Sequence, residues 1–289
     1  MTSFELVEPN SLEEAFAALD RDEPAIRPIG GGTALMLMMK AQLFRPLRLV
    51  SLRRVDARFF GMSLSGDRTF FRIGAMTTFS AIEHSAALRG HFPVLARTMR
   101  DLANVRVRNV ATVGGNLAHA DPHLDLPPVW MALDAEAIVV SPGKERAIPV
   151  EDIFAGYYET TLRHNDLIAE IRIPLRPSWR SVYFKVTTRA VHDWPALGLA
   201  VAAAISNGIV DDLRIVLSAA VDKPTRLLQS ESVLRGAAID GETLRRAGDA
   251  AVEEVAIDAD SRGTASYKRH LLRIYLARAM RAVAQEYAA

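Results

Sequence analysis

The sequence predicts an α+β fold in two domains, and three observations carry that prediction. Residues 1–177 alternate short extended segments with short segments of helical period; beyond residue 180 the chain turns to long apolar runs around Asn207-Gly208; from Gly241 onward it is helical in pattern. A chain of 289 residues also exceeds the length at which a single core usually stops growing, so two domains with a boundary at about Pro177 are expected.

The elements follow in order. Ser11-Leu12-Glu13-Glu14 reads as a capping box, and Leu12, Ala15, Phe16 and Leu19 share one helical face. Residues 25–29 are extended and run into Gly30-Gly31-Gly32, after which Thr33 is placed to cap an apolar helix over residues 34–40. Residues 47–52 and 70–73 read as strands, and Ser80-Ala81-Ile82-Glu83 offers a second capping box. Pro93 suits the first turn of a helix running toward Leu102, and the alternation of Val105-Arg106-Val107-Arg108 predicts a strand. Residues 137–140 and 167–173 are strand-like, the second ended by Pro174 and Pro177. Residues 182–186, 197–205 and 213–219 predict an antiparallel meander, because Asn-Gly between apolar runs is a hairpin signal. Helices are expected over 241–255 and 266–287, the latter with a stripe of Leu271, Ile274, Tyr275, Arg278 and Ala279.

Composition narrows the function. Lys and Arg number 35 against 34 Asp and Glu, with no dense basic run, so nucleic acid and anionic membranes are not indicated as partners. The chain has no cysteine, which excludes disulfides, thiolate metal sites, thiol nucleophiles and cysteine-ligated iron–sulfur clusters within it. Redox chemistry here needs an organic cofactor. The N-terminal residues lack a signal-peptide pattern and no transmembrane segment is evident, so a cytoplasmic location is expected.

Two glycine loops dominate the candidate chemistry: Gly30-Gly31-Gly32-Thr33, and Thr112-Val113-Gly114-Gly115-Asn116. Glycines let backbone amides approach an anion without interference from Cβ, and threonine hydroxyls add donors, which suggests a split diphosphate site. The first loop alone also fits an ordinary turn. No Gly-Lys-Ser/Thr follows it, and the spacing is not that of the dinucleotide-binding Gly-x-Gly-x-x-Gly, so neither of those nucleotide loops is present. His119, Asp121, His123 and Asp125 alternate, and a metal-dependent hydrolase built on them is a competing reading, weakened by Pro122, Pro127 and Pro128. A polar turn whose aspartates cap amides is the plainer alternative. Lys185 lies between apolar neighbours, where it either snorkels to solvent or meets an anion; Trp194 either packs or stacks on a flat ring; and the run from Leu35 to Met39 is read as a buried helix.

These residues resemble a known family, the FAD-binding medium subunit of molybdenum hydroxylases such as carbon monoxide dehydrogenase, and the corresponding flavin domain of xanthine dehydrogenase. The resemblance spans the chain. It rests on Ile29-Gly30-Gly31-Gly32-Thr33-Ala34-Leu35, on the block from Arg108 through Asn116 to Pro122, and on Asp125-Leu126-Pro127-Pro128, with support from Glu170-Ile171-Arg172-Ile173-Pro174, Phe184-Lys185-Val186 and Asp193-Trp194.

The resemblance implies an FAD-binding domain of the vanillyl-alcohol-oxidase (PCMH) type in two subdomains over residues 1–177. A C-terminal domain of the carbon monoxide dehydrogenase flavoprotein type, a small antiparallel sheet with a helical bundle, would occupy 178–289. It further implies FAD, held noncovalently, as the cofactor. Residues 30–35, with Arg27 and Ile29 ahead of them, and Ala111 through Asn116 would embrace the diphosphate. Asp125 would bind the adenosine or ribityl portion, and Leu102, His119, Ile168, Ala169, Lys185 and Trp194 would line the rest. No catalytic acid or base and no metal ligand is implied. The implied partners are a large subunit carrying the molybdenum cofactor and a small subunit carrying two 2Fe–2S clusters, in a dimer of heterotrimers, with an external electron acceptor. One departure is Ala34, where many relatives carry a polar residue. The alternatives from other classes are the metal-dependent hydrolase and an assembly module with empty loops.

Overall fold

A computed structural model describes residues 3–19 and 23–285. The chain opens with β1 (Glu5–Val7), α1 (Leu12–Ala18), β2 (Ile26–Ile29), α2 (Thr33–Lys40) and β3 (Arg48–Ser51). The three strands form a parallel sheet in the order β1-β3-β2. Ser11 caps α1 as expected, its hydroxyl accepting from the Glu14 amide at 3.1 Å, a contact worth about 1 kcal/mol. Glu14 returns to the amide of Asn10.

A second unit follows: β4 (Met62–Leu64), β5 (Phe70–Gly74), α3 (Phe79–His84), α4 (Ala86–His91), α5 (Pro93–Asp101), α6 (Val105–Arg108), α7 (Val113–His119) and α8 (Leu126–Ala132). It is completed by β6 (Glu136–Ser141), β7 (Lys144–Pro149), β8 (Phe154–Gly156), β9 (Glu159–Thr160) and β10 (Leu167–Pro174). Five of these strands make a sheet in the order β4-β5-β10-β6-β7, with antiparallel neighbours.

The rest of the chain is β11 (Trp179–Val186), β12 (Leu197–Ser206), β13 (Ile209–Ser218), β14 (Thr225–Arg226), α9 (Leu228–Leu234), α10 (Gly241–Glu253) and α11 (Ala265–Gln285). The strands form the expected meander, β11-β12-β13-β14. Asn207 and Gly208 both take positive φ, at 52° and 80°, as a hairpin turn of this type demands. Strand β12 reads as unbroken apolar sequence because both of its faces are covered. Ala200 and Ala202, with Val216 of β13, join the core of the first two units; Leu199, Val201 and Ala203 join the core beneath the C-terminal helices. The meander is therefore a shared wall.

Several expectations are corrected. Residues 105–108 are one turn of helix, capped by Asn104, whose side chain accepts from Val107; such a local side-chain bond outweighs a four-residue alternation. Thr33 is the first helical residue and not the cap, which is Gly32. The cap of α3 is Thr78, two residues ahead of Ser80, bonded to the Ala81 amide. The run from Leu35 to Met39 is helical, yet only Met39 is buried and Leu37 is 67% exposed. In α11 the buried face includes Leu271, Leu272, Leu276, Ala279, Met280 and Val283, while Arg278 is exposed. The expected end of that helix at residue 287 lies outside the described residues. Helix α8, wholly buried, begins with Pro127 and Pro128 in its first turn, positions that proline suits.

Candidate functional site

The fold presses the two glycine loops together. A Cβ on Gly30 would stand 2.8 Å from the Thr112 hydroxyl, and one on Gly31 would stand 2.0 Å from the Val110 carbonyl oxygen. At Gly31 a side chain is thus excluded by backbone contact. Gly32 takes φ +72° and starts α2 without any side-chain cap, so the first-turn amides have neither an intrahelical acceptor nor a capping oxygen. The positive end of the helix dipole points the same way, and together these make an anion site. Ile29 ends β2 ahead of this loop, Ala34 and Leu35 are half-buried in the first turn of α2, and Arg27 projects from β2 exposed.

The second loop works differently. Its amides are already used: Val113 donates to the Thr77 carbonyl at 3.1 Å, Gly114 to Ala75 at 2.8 Å, and Asn116 to Thr112 at 2.9 Å. The Thr112 hydroxyl accepts from the Gly115 amide at 3.3 Å. Gly114 is required by packing, since a Cβ there would lie 2.7 Å from the Ala75 methyl. What this loop has left to offer is side chains, above all Asn116, whose Oδ1 is buried without a hydrogen-bond partner. An orphaned buried acceptor costs about 1–3 kcal/mol and marks a position made for a missing donor.

Ala75 ties this loop to the rest of the site. Its amide donates to Ala169, at the irregularity of β10 between Ile168 and Glu170, while its carbonyl receives Gly114. Ile168, Ala169 and Ala111 are buried, and Leu102, the buried C-cap of α5, offers its carbonyl to Arg108 at 3.1 Å.

At the N-terminus of α8, Asp125 is buried between two partners from the meander. Lys185 Nζ donates to Oδ2 at 3.0 Å and the Tyr183 hydroxyl to Oδ1 at 2.7 Å, while Lys185 also reaches the Asp101 carbonyl at 3.0 Å. Lys185 therefore meets an anion and does not snorkel; its side chain is only 5% exposed. Burial pushes the Asp125 carboxyl above its ordinary value despite the Lys185 charge, and it pushes the Tyr183 hydroxyl well up, aided by Asp125. Tyr183 escaped the sequence reading, although it lies two residues before Lys185 and so on the same face of its strand.

The His/Asp run does not converge on a point. His119 packs edge-on against Tyr158 at 5.2 Å, Asp121 accepts from the His123 amide at 2.9 Å and pairs with its Nδ1 at 3.0 Å, and Asp125 belongs to Lys185 and Tyr183. Among the described residues no three His, Asp or Glu side chains gather as a metal ion requires, so the hydrolase reading has lost its site. Trp194 stands beyond the far end of α7, stacked on His123 at 5.2 Å and 12°, with the Arg262 guanidinium over its ring.

An uncapped helix start and backbone approach enforced by glycine suit a phosphate, and an orphaned asparagine oxygen suits a hydroxyl or N–H donor beside it. Together they define the chain as a binder of a phosphate-bearing organic cofactor at the junction of its units. Residues 2–176 match the model of the FAD-binding domain in molybdopterin dehydrogenase, and residues 182–283 match that of the CO dehydrogenase flavoprotein C-terminal domain. The chain belongs to this family of oxidoreductase flavoproteins, and its cofactor is FAD. Among relatives, the carbon monoxide dehydrogenase medium chain of Hydrogenophaga pseudoflava is 30% identical over 96% of both chains. The glyceraldehyde dehydrogenase medium chain of Sulfolobus acidocaldarius is 27% identical over 97% of this chain and 98% of that one. Among solved structures, carbon monoxide dehydrogenase from Hydrogenophaga pseudoflava superposes with a TM-score of 0.92 at 31% identity, covering 98% of this chain and 97% of that one. Quinoline 2-oxidoreductase from Pseudomonas putida 86 gives 0.89 at 26% identity, over 99% and 98%. No described helix is long and apolar enough to cross a membrane.

Proposed function

We propose that this chain is the electron-relaying flavoprotein subunit of a molybdenum hydroxylase, receiving electrons from 2Fe–2S clusters of a small subunit and passing them through FAD to an external acceptor. The organic substrate is oxidised at a molybdenum cofactor in a large subunit. Relatives named as medium chains or a medium subunit of dehydrogenases and a hydroxylase support that partnership, which we propose takes the form of a dimer of heterotrimers. We place the division of the chain at Pro177, between an FAD-binding and a C-terminal domain.

The observation that carries the reading is the glycine-started, uncapped N-terminus of α2, whose leading glycines lie against the Val110–Ala111 backbone and the Thr112 side chain. The amides of residues 30–35 hold the diphosphate there, with the Thr112 hydroxyl closing over it from the second loop and Asn116 Oδ1 accepting from a hydroxyl of the cofactor beside it. The buried faces of Leu102, Ala111, Ile168 and Ala169 exclude water from the ring side, with His119 and Trp194 at its far end. The Asp125–Lys185–Tyr183 group fixes the meander against α8 and presents the remaining polar contacts. FAD supplies a carrier that accepts electrons singly or in pairs, which is what joining one-electron clusters to an acceptor requires.

Purified chain titrated with FAD tests this. A yellow, stoichiometric complex with quenched flavin fluorescence is expected; a chain that stays colourless at saturating FAD overturns the proposal.

A further inference from the structure

Helix α5 ends without the usual glycine. Its C-cap is Leu102, and the next residue, Ala103, takes φ +48°, the left-handed conformation that helices commonly give to glycine at this position. A side chain there is strained, and such strain persists only where surrounding contacts over-determine it. Those contacts come from two cations. Arg108 Nη1 donates to the Ala103 carbonyl at 2.7 Å and to the Leu102 carbonyl at 3.1 Å, and Lys185 Nζ donates to the Asp101 carbonyl at 3.0 Å. Cations suit this end of a helix, where carbonyls lack intrahelical partners and the dipole is negative.

Arg108 has a second attachment. Its Nε donates to Glu83 Oε2 on α3 at 2.9 Å, and the two side chains are only 12% and 22% exposed. Helix α3 in turn begins on the second glycine loop: the Phe79 amide donates to the Ala111 carbonyl at 3.1 Å, and Thr78 pairs with Thr112 in an antiparallel bridge. Two residues beyond Arg108, Val110 sets its carbonyl against Gly31. One guanidinium therefore joins the end of α5, the body of α3 and the segment that brings the second loop to the first. Lysine is no substitute, because a point charge on a flexible stem serves one of these partners while the planar fork holds both.

We propose that Arg108 is a positioning residue of the FAD site. It sets how far the second loop stands from the end of α5, and so holds Leu102 and Ala111 in one wall of the site while Val110 is seated against Gly31. The inference rests on the FAD reading above. The bonds of Arg108 run to Glu83 and to the two carbonyls, so it acts through them. Lys185 completes the frame from the meander, since its ammonium spans the Asp101 carbonyl and the Asp125 carboxylate.

The test titrates the full chain with FAD by fluorescence quenching and measures Tm beside it. Arg108→Ala should weaken FAD binding at least about tenfold, because bonds to a charged group are lost from the frame of the site, and Arg108→Lys should fall between it and the unaltered chain. Arg226→Ala removes a similarly enclosed arginine whose partners, Glu231 and Glu151, belong to neither loop; Tm should fall while Kd stays within about twofold. Ethylguanidinium, which fits the space left in Arg108→Ala, should restore most of the lost affinity, and ethylammonium, of equal charge but without the fork, should not. An unchanged Kd in Arg108→Ala, an equal loss in Arg226→Ala, or the same response to both cations overturns the proposal. Loss of folding in both Arg108 variants overturns it too, since the residue would then serve the fold alone. Failure of the unaltered chain to bind FAD overturns the parent reading instead.

Discussion

Gly31 gives the sharpest test of how the two loops cooperate. An alanine there would bring Cβ to 2.0 Å from the Val110 carbonyl oxygen and 2.8 Å from its carbon, both backbone atoms that no rotamer change can move. Relief requires the loops to part by about 1 Å, since real side chains do not approach below about 3 Å. Overpacking of this kind costs about 1–3 kcal/mol and occasionally more, and a backbone obstacle places Gly31→Ala at the upper end. At about 2–4 °C per kcal/mol for a large domain, Tm should fall by roughly 6–12 °C. The same strain, spread into the anion cradle, should weaken FAD binding by about a hundredfold, because every 1.4 kcal/mol is tenfold. The natural control is Gly115→Ala, whose Cβ meets only the Thr112 hydroxyl at 2.9 Å, a side-chain atom that can turn away. Differential scanning fluorimetry and fluorescence titration with FAD measure both effects. If Gly31→Ala matched the unaltered chain within about 2 °C and twofold in Kd, the contact would not constrain the site and the reasoning would fail.

Other outcomes follow from the same geometry. Gly32→Ala forces a Cβ into φ +72°, where a non-glycine residue costs about 1–2 kcal/mol, so a Tm loss smaller than that of Gly31→Ala is expected. Gly32→Asn, better tolerated in that region, should recover part of it, and equal losses for the two would count against the backbone argument. Burial pushes the His119 imidazole below its ordinary 6.5, with the Asp121 charge opposing. Its neutral form is favoured in the folded chain, so this stability is fully present above pH 6.5 and is lost as pH falls through the lowered value. His119→Gln should flatten the decline of Tm between pH 7 and 5; an unchanged slope would assign the decline to other groups.

What the sequence made legible was governed by period and by residue type. The meander and its Asn207-Gly208 turn were readable because both faces of β12 are buried and Asn-Gly is among the few pairs that suit that turn. The family resemblance placed the two glycine blocks in one site, and the structure brings Gly30 and Gly31 against Val110 to Thr112. Less legible was which group satisfies which. Val105 to Arg108 alternates like a strand, but the Asn104 side chain closes a helical turn and leaves Val105 57% exposed. The amides of Val113 and Gly114 look free in sequence, and only the return of residues 75–77 across them shows that they are taken. The helical fate of Pro127-Pro128 was readable, since proline is at home in a first turn, but the neighbouring His/Asp run drew attention to strand periodicity. Lys185 could not be assigned to Asp125 because sixty residues separate them and no local pattern spans that distance.

That last pair also shows why the two halves of the chain act as one. Residues 119–125 are gripped from both sides: the Tyr158 amide donates to Ala120, the Ala219 amide to Pro122, and Lys185 pairs with Asp125. Ala120 and Ala219 both sit at positive φ, 51° and 64°, a strain that persists only where surrounding bonds over-determine it. The ion pair is the grip most exposed to error, because removing one partner leaves a buried charge. Lys185→Met should therefore cost about 3–5 kcal/mol and loosen the meander from α8, whereas Lys185→Met with Asp125→Leu should recover most of that loss. Calorimetry of the apo chain should show a single transition in the unaltered protein and a broadened or divided one in Lys185→Met. A single, unshifted transition in that variant would mean that the shared apolar wall of Ala200, Ala202 and Val216 holds the halves together without the pair.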